Sequence, residues 1–72
     1  MKSADKTISY IAAKLHDARL DRHLTQAEVA KMADTDTNYY AKIERGEATP
    51  SLKTLEKIIR AIKVKSSDIL PF

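Results

Sequence analysis

Asn38 and Lys42 stand about one helical turn apart, between Asp36 and Gly46, the chain's one glycine. An asparagine amide holds a donor and an acceptor side by side and pairs bidentately with adenine. A lysine ammonium reaches the acceptors on the major-groove edge of guanine. Thr37 and Tyr39 flank Asn38, and Ala41 is small enough to meet a thymine methyl. Arg45 and Lys42 carry the charge to neutralise phosphates, with Lys53 as a further candidate. Such a set can hydrogen-bond base edges while its cations hold the backbone. The competing reading of Asn38 is a plain solvated helix residue.

A rigid element must present these side chains along one edge. Leu24 to Ala33, followed closely by Tyr39 to Gly46, reads as two short helices joined by a tight turn. That is the outline of a helix-turn-helix, whose second helix enters the major groove of DNA. Thr25 is a good N-cap for the first of the two, and Glu28 three residues on completes a capping box. Val29, Ala30 and Ala33 point inward. Asp34 and Thr35 make the turn, and Asp36 caps the second helix at its positive end. Tyr40 and Ile43 supply that helix's apolar face, which leaves Tyr39 outside. There Tyr39 can touch a phosphate with its hydroxyl or a base edge with its ring, or simply pack on Arg45 or Lys42. Gly46 stops the helix by taking the left-handed conformation.

Three more helices complete the reading. The first runs from about Thr7 to Arg22 on a stripe of Ile8, Ile11, Leu15 and Ala18. After a loop over Glu47 to Pro50, Ser51 or Thr49 caps a fourth helix that reaches about Lys63. Leu52, Leu55, Ile58, Ile59 and Ile62 form its wide apolar face. Ser66 caps a last short helix through Leu70, and Pro71 ends it. The expected fold is all-α, a compact five-helix bundle forming one domain over residues 1–72, with an ordered core of about 7–70.

Composition narrows the function classes. There is no cysteine, which excludes disulfides and thiolate metal sites. A domain this small often gains stability from a partner chain, so a homodimer is expected. The net charge of +3 permits nucleic-acid binding without demanding it. No apolar run approaches the roughly 18 residues that a membrane span needs. The N-terminal residues are polar, without a signal-peptide core, so a cytoplasmic location is expected and no membrane contact. His16 and His23 lack the spacing and companions of a metal site and read as solvated. With no nucleophile–base pair, metal cluster or glycine-rich phosphate loop, no enzyme activity is expected. No cofactor and no small-molecule ligand is expected either.

Leu24-Thr25-Gln26, Glu28 and Ala30, then Ile43-Glu44-Arg45-Gly46, then Pro50-Ser51-Leu52 with Leu55, resemble the phage repressor and Cro-type (XRE-like) helix-turn-helix family. The resemblance covers roughly residues 8 to 70. It implies a five-helix lambda repressor-like domain that binds operator DNA as a twofold dimer. It also implies that Gln26 clamps a phosphate and buttresses the reading helix, and that Arg19 pairs with Glu44. The short length and the D-x-x-Y of Asp36 and Tyr39 are similar to the controller proteins of restriction-modification systems. Three residues depart from the family pattern. Asp34 stands where glycine is usual, Thr35 where an aliphatic is usual, and Tyr40 where isoleucine or valine is usual. A phenol at 40 must find a hydrogen-bond partner or reach the surface.

The expected function is therefore a sequence-specific, DNA-binding transcriptional regulator. Its site residues are Gln26, Thr37, Asn38, Tyr39, Lys42 and Arg45. Its partners are double-stranded DNA and a second copy of the chain: some of the apolar segment Ile69 to Phe72 packs onto the fourth helix, and the surplus, with Ile62 or Val64, is the candidate dimer surface, against the competing reading of a frayed tail. The alternative is an antitoxin-type or other protein-interaction module on the same fold.

Overall fold

The computed structural model describes residues 2–72, with side chains from Lys6 onward. It contains α1 (Lys2–Asp21), α2 (Gln26–Met32), α3 (Thr37–Glu44), α4 (Leu52–Ile62) and α5 (Ser66–Ile69), with no strand among the described residues. The body measures 31 × 23 × 20 Å. α1 packs on α3, α4 and α5, and α2 packs on α3 and α4, so α3 is clasped from behind. No helix is long and apolar enough to cross a membrane among the described residues.

The core forms where the apolar stripes meet. Leu15 of α1, Val29 and Ala30 of α2, and Tyr40 and Ile43 of α3 are buried together with Leu55, Ile58, Ile59 and Ile62 of α4 and Ile69 of α5. The expected capping box is present: Thr25 Oγ1 accepts from Glu28 N at 3.0 Å, and Glu28 Oε1 accepts from Thr25 N at 2.8 Å. Asp36 Oδ2 accepts from Tyr39 N at 3.1 Å and starts α3. Ser51, not Thr49, caps α4 through Thr54 N at 3.1 Å.

Several expectations need correction. α1 begins at Lys2 rather than Thr7. The cap of α5 is Lys65, without a side-chain bond, so Ser66 is the first residue inside the helix. Leu52 is 83 % exposed and lies outside the core. It opens α4, one turn beyond the point where other helices cover that face. Ile62, offered with Val64 as a candidate for the dimer surface, is only 1 % exposed and belongs to the monomer core, and Ile69 is the part of the C-terminal segment that packs inward. His23 lies beyond α1, in the left-handed region at φ 58°.

His23 belongs to a recurring device. Asp34 (φ 57°), Gly46 (φ 74°) and Lys63 (φ 66°) also take the left-handed conformation at helix ends. At the turn between α2 and α3, Thr35 N donates to Ala30 O at 2.9 Å and Asp34 N to Lys31 O at 3.1 Å. At the end of α3, Glu47 N donates to Lys42 O at 2.9 Å and Gly46 N to Ile43 O at 3.1 Å. These are Schellman closures, which satisfy carbonyls the helix leaves unpaired. Three of the four left-handed residues carry a Cβ and therefore some strain. Asp34→Gly and Lys63→Gly should each raise stability in urea unfolding by about 0.5–1 kcal/mol. Gly46→Ala should lower it by about 1 kcal/mol from backbone strain. A Cβ there would meet nothing nearer than Ser9 Oγ at 4.0 Å, so no steric clash contributes.

Candidate nucleic-acid interface

α3 has eight residues and is too short to hold itself as a helix in water. Its attitude is set from behind by Tyr40, Ile43 and Glu44, all buried. Glu44 is the centre of that attachment. Arg19 of α1 donates from Nε to Glu44 Oε2 at 2.7 Å and from Nη2 to Oε1 at 3.1 Å. Gln26 Nε2, at the start of α2, donates to Oε1 at 3.1 Å. The Tyr40 hydroxyl, one turn back on α3, donates to Oε2. A third guanidinium bond, from Arg19 Nη1 to Leu24 O at 2.9 Å, reaches the connection before α2. One carboxylate thus ties α1, α2 and α3 together, and no buried side-chain polar atom lacks a partner among the described residues.

The electrostatics follow from this geometry. Burial alone would raise the Glu44 carboxyl, but hydrogen bonds from Arg19, Tyr40 and Gln26 outweigh it and hold the group below its ordinary value. The hydrogen bond to Glu44 raises the Arg19 guanidinium, against burial. Burial, then the bond to Glu44, pushes the Tyr40 phenol far above its usual value, so it remains a donor. The family resemblance pointed to the Arg19–Glu44 pair. The part of Tyr40 was legible only as a requirement for some partner. A tyrosine four residues before a glutamate on one helix was the available signal.

The outer face of α3 carries Thr37, Asn38 and Lys42, all exposed, with Ala41 half-buried beside them. Among the described residues, Thr37 and Asn38 have no side-chain partner, and Lys42 has only the through-space attraction of Glu47. Gln26 is half-buried, with one amide hydrogen committed to Glu44. Arg45 is exposed but not free: Nε and Nη2 both meet the Glu47 carboxylate at 3.1 Å. Tyr39 departs from expectation. It is half-buried and packs against the edge of the core. Its hydroxyl points at Thr49 O, 3.5 Å away, at the outer limit of a hydrogen bond. The ring braces the loop between α3 and α4, and its neighbour Asn38 holds the more open position.

A helix-turn-helix family model matches residues 15–69, most of the chain. The chain belongs to the helix-turn-helix family. It is 35% identical over 60 residues to an immunity repressor protein of Bacillus phage phi105, covering 83% of this chain and 42% of that protein. It is also 35% identical over 60 residues to the control protein C.BamHI of Bacillus amyloliquefaciens, covering 82% of this chain and 74% of that one. The chain spans about half the length of the first curated relatives it matches. In fold it superposes on the restriction-modification controller protein C.AhdI of Aeromonas hydrophila with a TM-score of 0.83. That match has 22% sequence identity and covers 88% of this chain and 96% of the other. The resemblance read from the T-Q-x-E and I-E-R-G segments stands.

The Glu44 network makes three predictions. Tyr40→Phe should cost about 1–3 kcal/mol in urea unfolding, since it strips a donor from a buried carboxylate without changing volume much. Arg19→Met should cost more, about 3–5 kcal/mol, because an uncompensated buried charge remains. Acid stability follows from the same group. A depressed carboxyl contributes fully above its unfolded value, near 4.3. That contribution is lost as pH falls through the lower folded value. Thermal midpoints measured from pH 6 downward should therefore fall more steeply in the native protein than in Glu44→Gln.

Proposed function

We propose that this protein is a sequence-specific transcriptional regulator that binds double-stranded DNA through α3. The observation that carries the reading is the arrangement of α3. Its inner face is locked to α1 and α2 through Glu44, while Thr37, Asn38 and Lys42 stand open on its outer face. Rigid backing and an exposed polar edge are what base readout in the major groove requires. Asn38 would read adenine and Lys42 guanine. Gln26 would hold a phosphate with its remaining amide hydrogen at the start of α2. Tyr39 acts as a brace, and its hydroxyl edge is the part that would meet the backbone. The relatives' roles as repressor and control protein support a regulatory output, and the place of that output is the cytoplasm.

The working form is a homodimer on a near-palindromic site, with the two α3 helices in successive major grooves about 34 Å apart. An apolar patch supports this. Leu52 and Leu70 stand between two shallow apolar grooves. One, of about 330 Å³, is lined by Leu55 and Ile59; the other, of about 170 Å³, by Ile8, Pro50 and Phe72. Leu52 and Phe72 are 83 % and 86 % exposed. A projecting leucine beside a groove is self-complementary across a twofold axis.

Selection of bound sites from random duplex DNA tests this reading, and an enriched inverted repeat is the expected result. Asn38→Ala and Lys42→Ala should each relax preference at one base position by roughly 1–3 kcal/mol, whereas Gln26→Ala should weaken all sites alike. Leu52→Glu should shift the sedimenting species toward monomer. Failure to enrich any site, with the protein folded, would overturn the proposal.

A further inference from the structure

The basic edge of α3 is opposed by one acid. Glu47 is the second residue after the helix cap, and the left-handed turn at Gly46 folds it back so that its N–H closes on Lys42 O at 2.9 Å. The same turn sets its carboxylate against Arg45, with two contacts of 3.1 Å. Both side chains are about half exposed, so the pair sits on the surface. Arg45 holds the Glu47 carboxyl below its ordinary value through that hydrogen bond, and Lys42 adds a through-space pull. Lys42 and Arg45, the two cations that α3 and its cap bring to this edge, therefore share one anion.

We infer that Glu47 is an affinity-setting residue that occupies the position a DNA phosphate would take on Arg45. The inference rests on the DNA-binding reading of α3 and deepens it. A guanidinium fork makes two parallel bonds to one carboxylate or one phosphate. With Glu47 seated, Arg45 has its Nε and one Nη committed before DNA arrives. Phosphate must then either displace the carboxylate or approach it within a few ångströms, where like charges repel. An exposed pair is weak in itself, so the device lowers affinity without abolishing it. Phosphate contacts are common to every sequence, so Glu47 sets affinity and leaves base preference alone.

The test measures binding of full-length protein to the selected duplex and to a random duplex across a salt series. Glu47→Gln should tighten both by roughly 3–10-fold, and each additional phosphate that the freed Arg45 neutralises should steepen the salt dependence by about 0.9 in log–log slope. The enriched base pattern should not move. Arg45→Gln should weaken binding to both duplexes alike and should erase the gain when combined with Glu47→Gln. Asp17→Asn removes the same charge from α1 and should change affinity less than twofold. Unchanged or weakened binding by Glu47→Gln would overturn the inference, as would a gain that survives loss of Arg45. Absence of specific binding by the native protein would instead sink the DNA-binding reading itself.

Discussion

A single buried carboxylate decides how this small bundle is put together. Glu44 accepts from Arg19, Gln26 and Tyr40, which lie on three helices, and four bonds fill its acceptor capacity. Withdrawing a carboxylate from water is costly, and only complete satisfaction with good geometry offsets the cost. Such a network constrains the relative placement of α1, α2 and α3, because each donor must reach the same carboxylate. The carboxylate accepts one arrangement. That matters because α3 is too short to be defined by its own backbone bonds.

The helix ends supply the second constraint. Four connections close through left-handed residues, so each chain reversal takes little length. Arg22 adds a clamp at the far side: its Nε meets Ile62 O at 3.1 Å and its Nη2 meets Lys63 O at 2.7 Å, binding the end of α1 to the last carbonyls of α4. Residues with side chains sit at three of those four left-handed positions. Short connections hold the two helices of the motif at a fixed crossing, at the expense of some backbone strain.

Local features of this arrangement were legible in the sequence, and features that depend on neighbours were not. Thr25 with Glu28, Asp36 and Gly46 mark helix ends by mechanisms confined to a few residues, and all four behave as read. Val29, Ile43, Leu55 and Ile58 follow helical spacing into the core. Leu52 obeys the same spacing and is exposed, because periodicity names a face but not whether another helix covers it at that turn. Tyr39 was placed outside by the same wheel, which has no knowledge of the loop at Thr49. Thr37, Asn38 and Lys42, read as the outward edge of α3, are exposed. Arg45 is conditioned by Glu47, two positions beyond it, where a helical wheel no longer applies.

The polarity of Gln26 shows how the buried and exposed halves are coupled. An ionised carboxylate can only accept, so the Gln26 amide must turn its nitrogen inward to Glu44. The flip state of that amide is thereby fixed by chemistry. Its second hydrogen lies across the same nitrogen, at the start of α2. A neutral side chain at position 44 would allow the amide to rotate and offer its carbonyl oxygen instead, which a phosphate repels. The charge buried behind α3 therefore orients a donor on α2 as well as anchoring the helix, and Arg19 and Tyr40 keep that charge in place across the neutral range.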